Sequence, residues 1–153
     1  MRSGNESPWY SAGLQFECQQ CGACCKAPGH VFLTPPDIAR MAAKLDPKSD
    51  SEEAIANFQK RFTINAAGQR LAKREDGACV LLGEDDRCMA YRARPLQCST
   101  FPWWKGVLEY PANWATAGDT CPGVGNGHEW RAHEIEEVCA LNGRKALSFG
   151  ATR

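Results

Sequence analysis

The sequence predicts a small α+β domain with a few helices, a short hairpin and an irregular cysteine-rich half stapled by metal. Helical periodicity is confined to three stretches, and much of the remainder is rich in proline, glycine and aromatic residues. A chain of 153 residues is the size of one domain, so we expect residues 1–153 to form a single domain. Eight of the nine cysteines lie in a region of about 14–127, which we expect to need metal for its stability.

The first elements are a short strand and a capped helix. Leu14 and Phe16 alternate with polar residues, which indicates a strand just before the first cysteines. The segment 34–45 predicts a helix, with Thr34 as its N-cap and Pro35 at its first position. Its apolar face carries Ile38, Met41 and Leu45.

The later elements are less regular. A second helix is predicted over about 51–62, capped by Asp50 or Ser51. Residues 71–91 indicate two short extended segments around a GEDD turn. Residues 92–127 are expected to be irregular, and a last helix is predicted over about 127–141.

Composition excludes several classes of partner. Lysine plus arginine equals aspartate plus glutamate at 18 each, so no overall field attracts a nucleic acid or an anionic membrane. No apolar run approaches the roughly 20 residues of a membrane-spanning helix. The first residues also lack an apolar signal-peptide core of about 7–15 residues. We therefore expect a cytoplasmic protein, in a compartment where thiols stay reduced and bind metal rather than form disulfides.

The strongest motif is CQQCGACC at 18–25, which has the spacing C-x2-C-x2-C-C. Two intervening residues let the backbone curl so that successive thiolates converge on one centre. Three thiolates at this spacing can hold three irons of a cubane [4Fe–4S] cluster, and in bacterial ferredoxin segments the remote fourth cysteine precedes a proline. Here Cys121 precedes Pro122. The spacing therefore predicts a cluster held by Cys18, Cys21, Cys24 and Cys121.

Cys25 is surplus to that set. Vicinal ligands on one ion would close a strained small ring, so we expect its side chain to face away from that of Cys24. It then joins a second tetrahedral site or stays spare, and the remaining candidates for that site are Cys79, Cys88 and Cys98. Cys139 follows Ile135 by one helical turn with no partner spacing, so we interpret it as a core thiol.

Three segments together resemble the YkgJ-like CxxCxxCC family, which is described as "putative zinc- or iron-chelating" and whose members are often labelled iron–sulfur oxidoreductases. The similarity covers about 14–127, and its most specific parts are F-x-C-x2-C-G-x-C-C at 16–25 and C-x2-Y-x2-R-P-x2-C at 88–98. The resemblance implies eight metal ligands: Cys18, Cys21, Cys24, Cys25, Cys79, Cys88, Cys98 and Cys121. It leaves zinc and iron both open.

A few other side chains are candidates for ligands or supporting groups. His128, Glu129 and His133 form H-E-x3-H, and on a helix histidines five residues apart diverge by about 140°, so no zincin site is expected. His30 is expected on a surface loop. Arg92 and Arg94 either hydrogen-bond toward an anionic thiolate centre or pair with local carboxylates. The aromatic residues after Cys98 either shield a cluster or pack a core, and these are Phe101, Trp103 and Trp104.

These observations predict a cytoplasmic metal-binding protein that holds a [4Fe–4S] cluster or zinc. The iron–sulfur case implies a redox or electron-transfer role and a protein redox partner. The zinc case implies a structural or chelating module without redox activity, and a thiol-based redox sensor is a third alternative. An enzyme remains an open alternative, since no nucleophile or acid–base constellation is evident and a catalytic zinc would need an open coordination position.

Overall fold

The computed structural model describes residues 6–148, and within that range it has seven α-helices and four strands, so the α+β prediction is confirmed. The predicted domain bounds of 1–153 also include residues 1–5 and 149–153, which lie outside the described residues. The strands are β1 Leu14–Phe16, β2 Thr63–Asn65, β3 Gln69–Leu71 and β4 Val124–Trp130. The helices are α1 Ala23–Lys26, α2 Pro35–Leu45, α3 Ser51–Phe62, α4 Leu96–Ser99, α5 Lys105–Leu108, α6 Pro111–Thr120 and α7 Ala132–Ser148.

Helices α2 and α3 begin where their caps predict. The Thr34 hydroxyl accepts from the Asp37 N–H at 3.1 Å, and the Asp37 carboxylate accepts from the Thr34 N–H at 2.9 Å, which makes a reciprocal capping box. The Asp50 carboxylate accepts from the Glu53 N–H at 2.9 Å and caps α3. Both predicted helices are therefore confirmed.

The regular hairpin lies earlier in the chain than predicted. Strands β2 and β3 pair antiparallel, with Ile64 opposite Arg70. Residues 71–91 instead form turns that are held by single bridge pairs, Lys73 with Cys79 and Leu82 with Cys88. The GEDD turn itself is present, because the Gly83 N–H donates to the Arg87 carbonyl at 2.8 Å.

The expected start of the last helix at 127 is wrong. Strand β4 occupies Val124–Trp130 and pairs antiparallel with β1, so α7 begins at Ala132. The Trp130 indole N–H donates to the Phe16 carbonyl at 2.9 Å and reinforces this pairing. A side chain at 123 would overlap the backbone of Glu17, so glycine is required for the two segments to approach this closely.

The expected irregularity of 92–127 is also wrong in part. This segment contains a single 3-10 turn at Tyr91–Ala93, the short helices α4 and α5, and the ten-residue α6. Pro111 occupies the first position of α6, as is common at helix starts. No helix among residues 6–148 is long and apolar enough to cross a membrane.

Two apolar cores divide the described residues. The first core packs α2 and α3 against the 78–93 turns, and Met41, Leu81 and Ala90 are fully buried in it. The second core is largely aromatic, and Trp103, which is 2% exposed, is stacked 5.4 Å from Trp114. The sequence leaves two interpretations for the aromatic residues after Cys98, shielding of a cluster and packing of a core. Trp103 belongs to the core.

Candidate metal centre

The first cysteine loop follows β1 and curls back on itself. The Gln20 N–H donates to the Cys18 sulfur at 3.4 Å, and the Ala23 N–H donates to the Cys21 sulfur at 3.5 Å. Gly22 has φ of 77°, in the left-handed region, and starts the short helix α1 that carries Cys24 and Cys25. The loop therefore directs backbone donors at the first two sulfurs.

Gly22 also sets how closely this loop approaches the GEDD turn. A Cβ at position 22 would overlap the backbone oxygen of Asp86, so only glycine permits the contact. The neighbouring Lys26 forms an ion pair with the Asp86 carboxylate at 3.0 Å. These contacts bring the CQQCGACC loop against the segment that carries Cys79 and Cys88.

Cys25 contacts both of those later cysteines. Its carbonyl accepts from the Cys79 N–H at 2.7 Å, and its thiol interacts with the thiols of Cys24 and Cys88. The expectation that the side chains of Cys24 and Cys25 face apart stays a prediction. Cys24 is exposed, whereas Cys25 is partly buried and packs against the first core.

The interactions among these cysteines shift the pKa values of their thiols. Interaction with the Cys25 thiol lowers the pKa of Cys24 to about 6 and the pKa of Cys88 to about 7, and the same interactions raise the pKa of Cys25 itself. Burial raises the pKa of Cys79 and of Cys98. Two of these sulfurs are therefore favoured as thiolates, the form that binds metal.

Cationic side chains surround these sulfurs. The Arg94 charge contributes to the lowered pKa values of Cys24 and Cys88, and the charges of Arg94 and Lys73 offset in part the rise that burial causes at Cys98 and Cys79. The sulfurs of Cys79 and Cys98 also interact electrostatically with Cys24 and Cys88. We call these five residues the larger thiol group: Cys24, Cys25, Cys79, Cys88 and Cys98.

The other three predicted ligands form a smaller thiol group: Cys18, Cys21 and Cys121. The Cys121 pKa is raised mainly by burial and further by Cys21 and Cys18, which places the three near one another. Cys18 and Cys121 both pack against the aromatic core. The nearby Cys18 thiol raises the pKa of Tyr91.

The donor set suits a zinc or iron centre in its chemistry. Thiolates are the ligands that zinc sites and iron–sulfur clusters share, and cationic neighbours offset their charge. Among residues 6–148, however, no three His, Cys, Asp or Glu side chains are arranged closely enough to hold one ion. The described thiols therefore form two groups, and in neither group are three side chains arranged around a single ion.

The remaining candidates lie elsewhere. Cys139 packs against the aromatic core, and burial raises its pKa. His30 is exposed, and its carbonyl accepts from Gln97 at 3.0 Å. His128 belongs to β4 whereas His133 belongs to α7, so the helical geometry assumed for H-E-x3-H is wrong and the two histidines are on different elements.

Sequence reasoning missed the supporting residues of the thiols. Lys73 lies near Cys79 and also donates to the Ala27 carbonyl at 3.0 Å, which joins the two segments. In the sequence Tyr91 is only one position of the motif C-x2-Y-x2-R-P-x2-C. Its proximity to Cys18 becomes evident only in the folded structure. No local sequence pattern predicts either contact, because each contact joins residues that are far apart in the chain.

The comparison with known families decides the assignment. The profile of the CxxCxxCC family, described as a "putative zinc- or iron-chelating domain", matches residues 17–140. The chain belongs to this family. The resemblance inferred from the motifs is therefore confirmed, and the CxxCxxCC domain extends past Cys121 into α7.

One curated relative adds a distant comparison. The CxxCxxCC domain is 32% identical over 95 residues to an uncharacterised protein of Methanocaldococcus jannaschii. That match spans 61% of this chain and 48% of the relative, so the chain covers about half of the relative's length. No solved structure matches the chain significantly.

Proposed function

We propose that this CxxCxxCC domain holds an iron–sulfur cluster through its cysteines, with [4Fe–4S] favoured, and has a redox or electron-transfer role. One observation carries this preference. The first three cysteines have the spacing C-x2-C-x2-C, and the remote Cys121 precedes Pro122. This pattern is typical of the segments that hold a [4Fe–4S] cluster.

The ligands in this proposal are the eight cysteines outside α7. The spacing assigns Cys24 to the same centre as Cys18, Cys21 and Cys121. The electrostatic contacts of Cys24 run instead to Cys79, Cys88 and Cys98. Cys24 and Cys25 follow Cys21 closely in the chain, so they connect the loop that carries the smaller thiol group to the larger thiol group.

The residues around the thiols have defined roles in this proposal. A bound cluster would supply a one-electron redox couple, and Arg94 and Lys73 would offset its negative charge. The aromatic core beside Cys18 and Cys121 excludes water from one side of the smaller group. Backbone N–H groups of Gln20 and Ala23 stabilise the charge on two sulfurs.

Metal and sulfide analysis of protein purified without oxygen tests this function. We expect brown protein with broad visible absorption, bound iron and acid-labile sulfide. Colourless protein with stoichiometric zinc and no sulfide would contradict the cluster and support the alternative, a structural zinc module without redox activity. Protein that holds neither metal would contradict both.

A thiol redox sensor is a second candidate, favoured by the interaction of the Cys25 thiol with the thiols of Cys24 and Cys88. Peroxide would oxidise two of these thiols to a disulfide, with two electrons and two protons passing to the peroxide. Free thiols and bound metal are counted before and after treatment. Reversible loss of two thiols in protein that never held metal supports the sensor, whereas thiol loss that only follows metal loss contradicts it.

A further inference from the structure

Residues 31–33 extend the β2–β3 hairpin by a third antiparallel segment, because backbone hydrogen bonds of 2.9 and 3.0 Å join them to β3. Phe32 lies opposite Arg70, and Arg70 lies opposite Ile64 of β2. Residues that are directly opposite each other carry their side chains on the same face of a sheet. We call Phe32, Arg70 and Ile64 the exposed row.

The two faces of this small sheet have different surroundings. Leu33 and Leu71 alternate with the exposed row, and both are buried in the first core. Phe32 and Ile64 are large apolar side chains, yet they are 38% and 42% exposed. Adjacent exposed apolar side chains with polar neighbours are typical of interaction sites.

Arg70, between these two apolar side chains, has an unsatisfied donor. Its Nε atom is buried and has no hydrogen-bond partner among the described residues. The ion pairs found among those residues involve other cations, namely Lys26, Arg40 and Arg74. Buried donors are nearly always paired in folded proteins, so this atom points to an acceptor that the described residues do not supply.

The segment around Arg70 is basic, although the chain as a whole has zero net charge. Residues 54–74 contain no Asp or Glu, and their cations are Lys60, Arg61, Arg70, Lys73 and Arg74. Lys73 donates to the Ala27 carbonyl and Arg74 pairs with Asp76, so these two are engaged. Lys60 and Arg61 are exposed at the end of α3, immediately before β2. The charge of this region is therefore complementary to an acidic ligand.

The outer edge of residues 31–33 is closed to a further strand. The Gln97 side-chain amide accepts from the Phe32 N–H and donates to the His30 carbonyl, both at 3.0 Å. Backbone groups of this kind are what an added strand would bind. A partner therefore contacts the face of the sheet that carries the exposed row, and not this edge.

We propose that the exposed row is a docking surface for a protein partner that presents a carboxylate between apolar side chains. The arginine guanidinium matches a carboxylate in a bidentate geometry. Phe32 and Ile64 pack against the partner's apolar side chains and exclude water from the ion pair. One arginine between apolar residues is typical of a protein interface, whereas a nucleic acid requires several cations along its phosphates. This inference does not depend on the bound metal.

The test uses the full chain and a defined probe, a short peptide in which one glutamate is flanked on both sides by leucine. A matched peptide has glutamine in place of glutamate, and an oligouridylate represents nucleic acid. Calorimetry measures binding, and amide chemical shifts locate it. We expect the glutamate peptide to bind with Kd below about 1 mM and the glutamine peptide to bind at least about 10-fold more weakly. Shift changes should be confined to residues 31–33 and 63–71.

Variants of the exposed row separate charge from apolar packing. Arg70→Gln should weaken binding of the glutamate peptide about 10-fold or more. Arg70→Lys should restore only part of the loss, because lysine lacks the fork of donors. Ile64→Ser should weaken binding of both peptides, since it removes an apolar contact. Lys60→Gln is the matched control, an exposed cation of the same segment outside the row, and should bind like the wild type.

Several outcomes would overturn this assignment. Wild-type protein that binds neither peptide contradicts it, and so does equal binding of the two peptides. Unchanged binding in Arg70→Gln contradicts it as well, because the carboxylate would then have a different partner. Oligouridylate that binds these residues more tightly than the glutamate peptide shows a nucleic-acid surface instead. If Arg70→Gln does not fold, as circular dichroism would show, the comparison of the two peptides on the wild type still decides.

Discussion

The Cys79 N–H donates to the Cys25 carbonyl at 2.7 Å, so the second half of the vicinal pair is joined to a turn far along the chain. The side chain repeats this connection, since the Cys25 thiol interacts with the thiol of Cys88. Cys25 is therefore the residue through which the CQQCGACC loop and the 79–88 turns meet.

Replacing Cys25 with serine should reduce bound metal more than replacing Cys139 does. Serine retains a hydrogen-bonding group but does not supply a thiolate, so the larger group loses its shared thiol. Metal stoichiometry and the free energy of unfolding are measured for both variants. Cys139→Ser is the control, because that thiol packs in the aromatic core and should leave metal content unchanged. Full metal content and full stability in Cys25→Ser would contradict a division into two centres.

Gly22→Ala should destabilise the protein more than Gly29→Ala. Both glycines have positive φ, 77° and 104°, so alanine costs roughly 1–2 kcal/mol at each from backbone strain. A Cβ at 22 also overlaps the Asp86 backbone, whereas a Cβ at 29 meets nothing within 4 Å. Denaturation midpoints and metal content check this. Equal destabilisation would show that the loop and the GEDD turn can separate without cost.

Asp37→Ala should lower the free energy of unfolding by about 3 kcal/mol, because it removes a buried carboxylate that caps α2 and anchors Arg40 and Leu96. Asp50→Ala is the matched control, an exposed cap of α3 worth about 1 kcal/mol. Urea denaturation measures both. Since Asp37 also fixes the turn before Cys98, metal affinity should fall only in the first variant, and similar behaviour of the two would contradict this link.

Trp103→Ala should cost about 3–5 kcal/mol, as for other large-to-small changes in a core. Trp103 is 2% exposed and packs against Phe16 as well as Trp114 and Trp130. Trp104→Ala is the comparison, since that ring is half-buried and its indole N–H donates to Gln97. Thermal denaturation followed by tryptophan fluorescence distinguishes them, and a smaller effect at 103 than at 104 would be inconsistent with an aromatic core.

Local signals explain which elements could be predicted. Helices α2 and α3 carry their own caps, Thr34 and Asp50, together with an apolar face, so the sequence alone places them. Helix α6 has Pro111 at its start but no buried residue, and without an apolar stripe its periodicity is weak. Strand β4 contains two glycines and exposed residues, and it forms because β1 from the other end of the chain pairs with it.

The same distinction applies to the candidate site. The spacing C-x2-C-x2-C-C marks the first four cysteines, but their mutual orientation depends on contacts with residues 79–98. The sequence predicts that the irregular half needs metal for its stability, but it does not reveal the apolar packing there. Leu81, Ala90 and Trp103 are buried there, so apolar packing contributes to that half in addition to any metal. Packing between residues that are far apart in the chain produces no periodic hydrophobic pattern in the sequence.

The pairing of β1 with β4 has a consequence during synthesis. Leu14 aligns with Trp130, so the segment that leads into Cys18 cannot take its final place until residue 130 has left the ribosome. By then all eight predicted ligands have been translated. On the nascent chain the first cysteines therefore stay in an open loop, and the finished site can take up metal only after residue 130 has emerged.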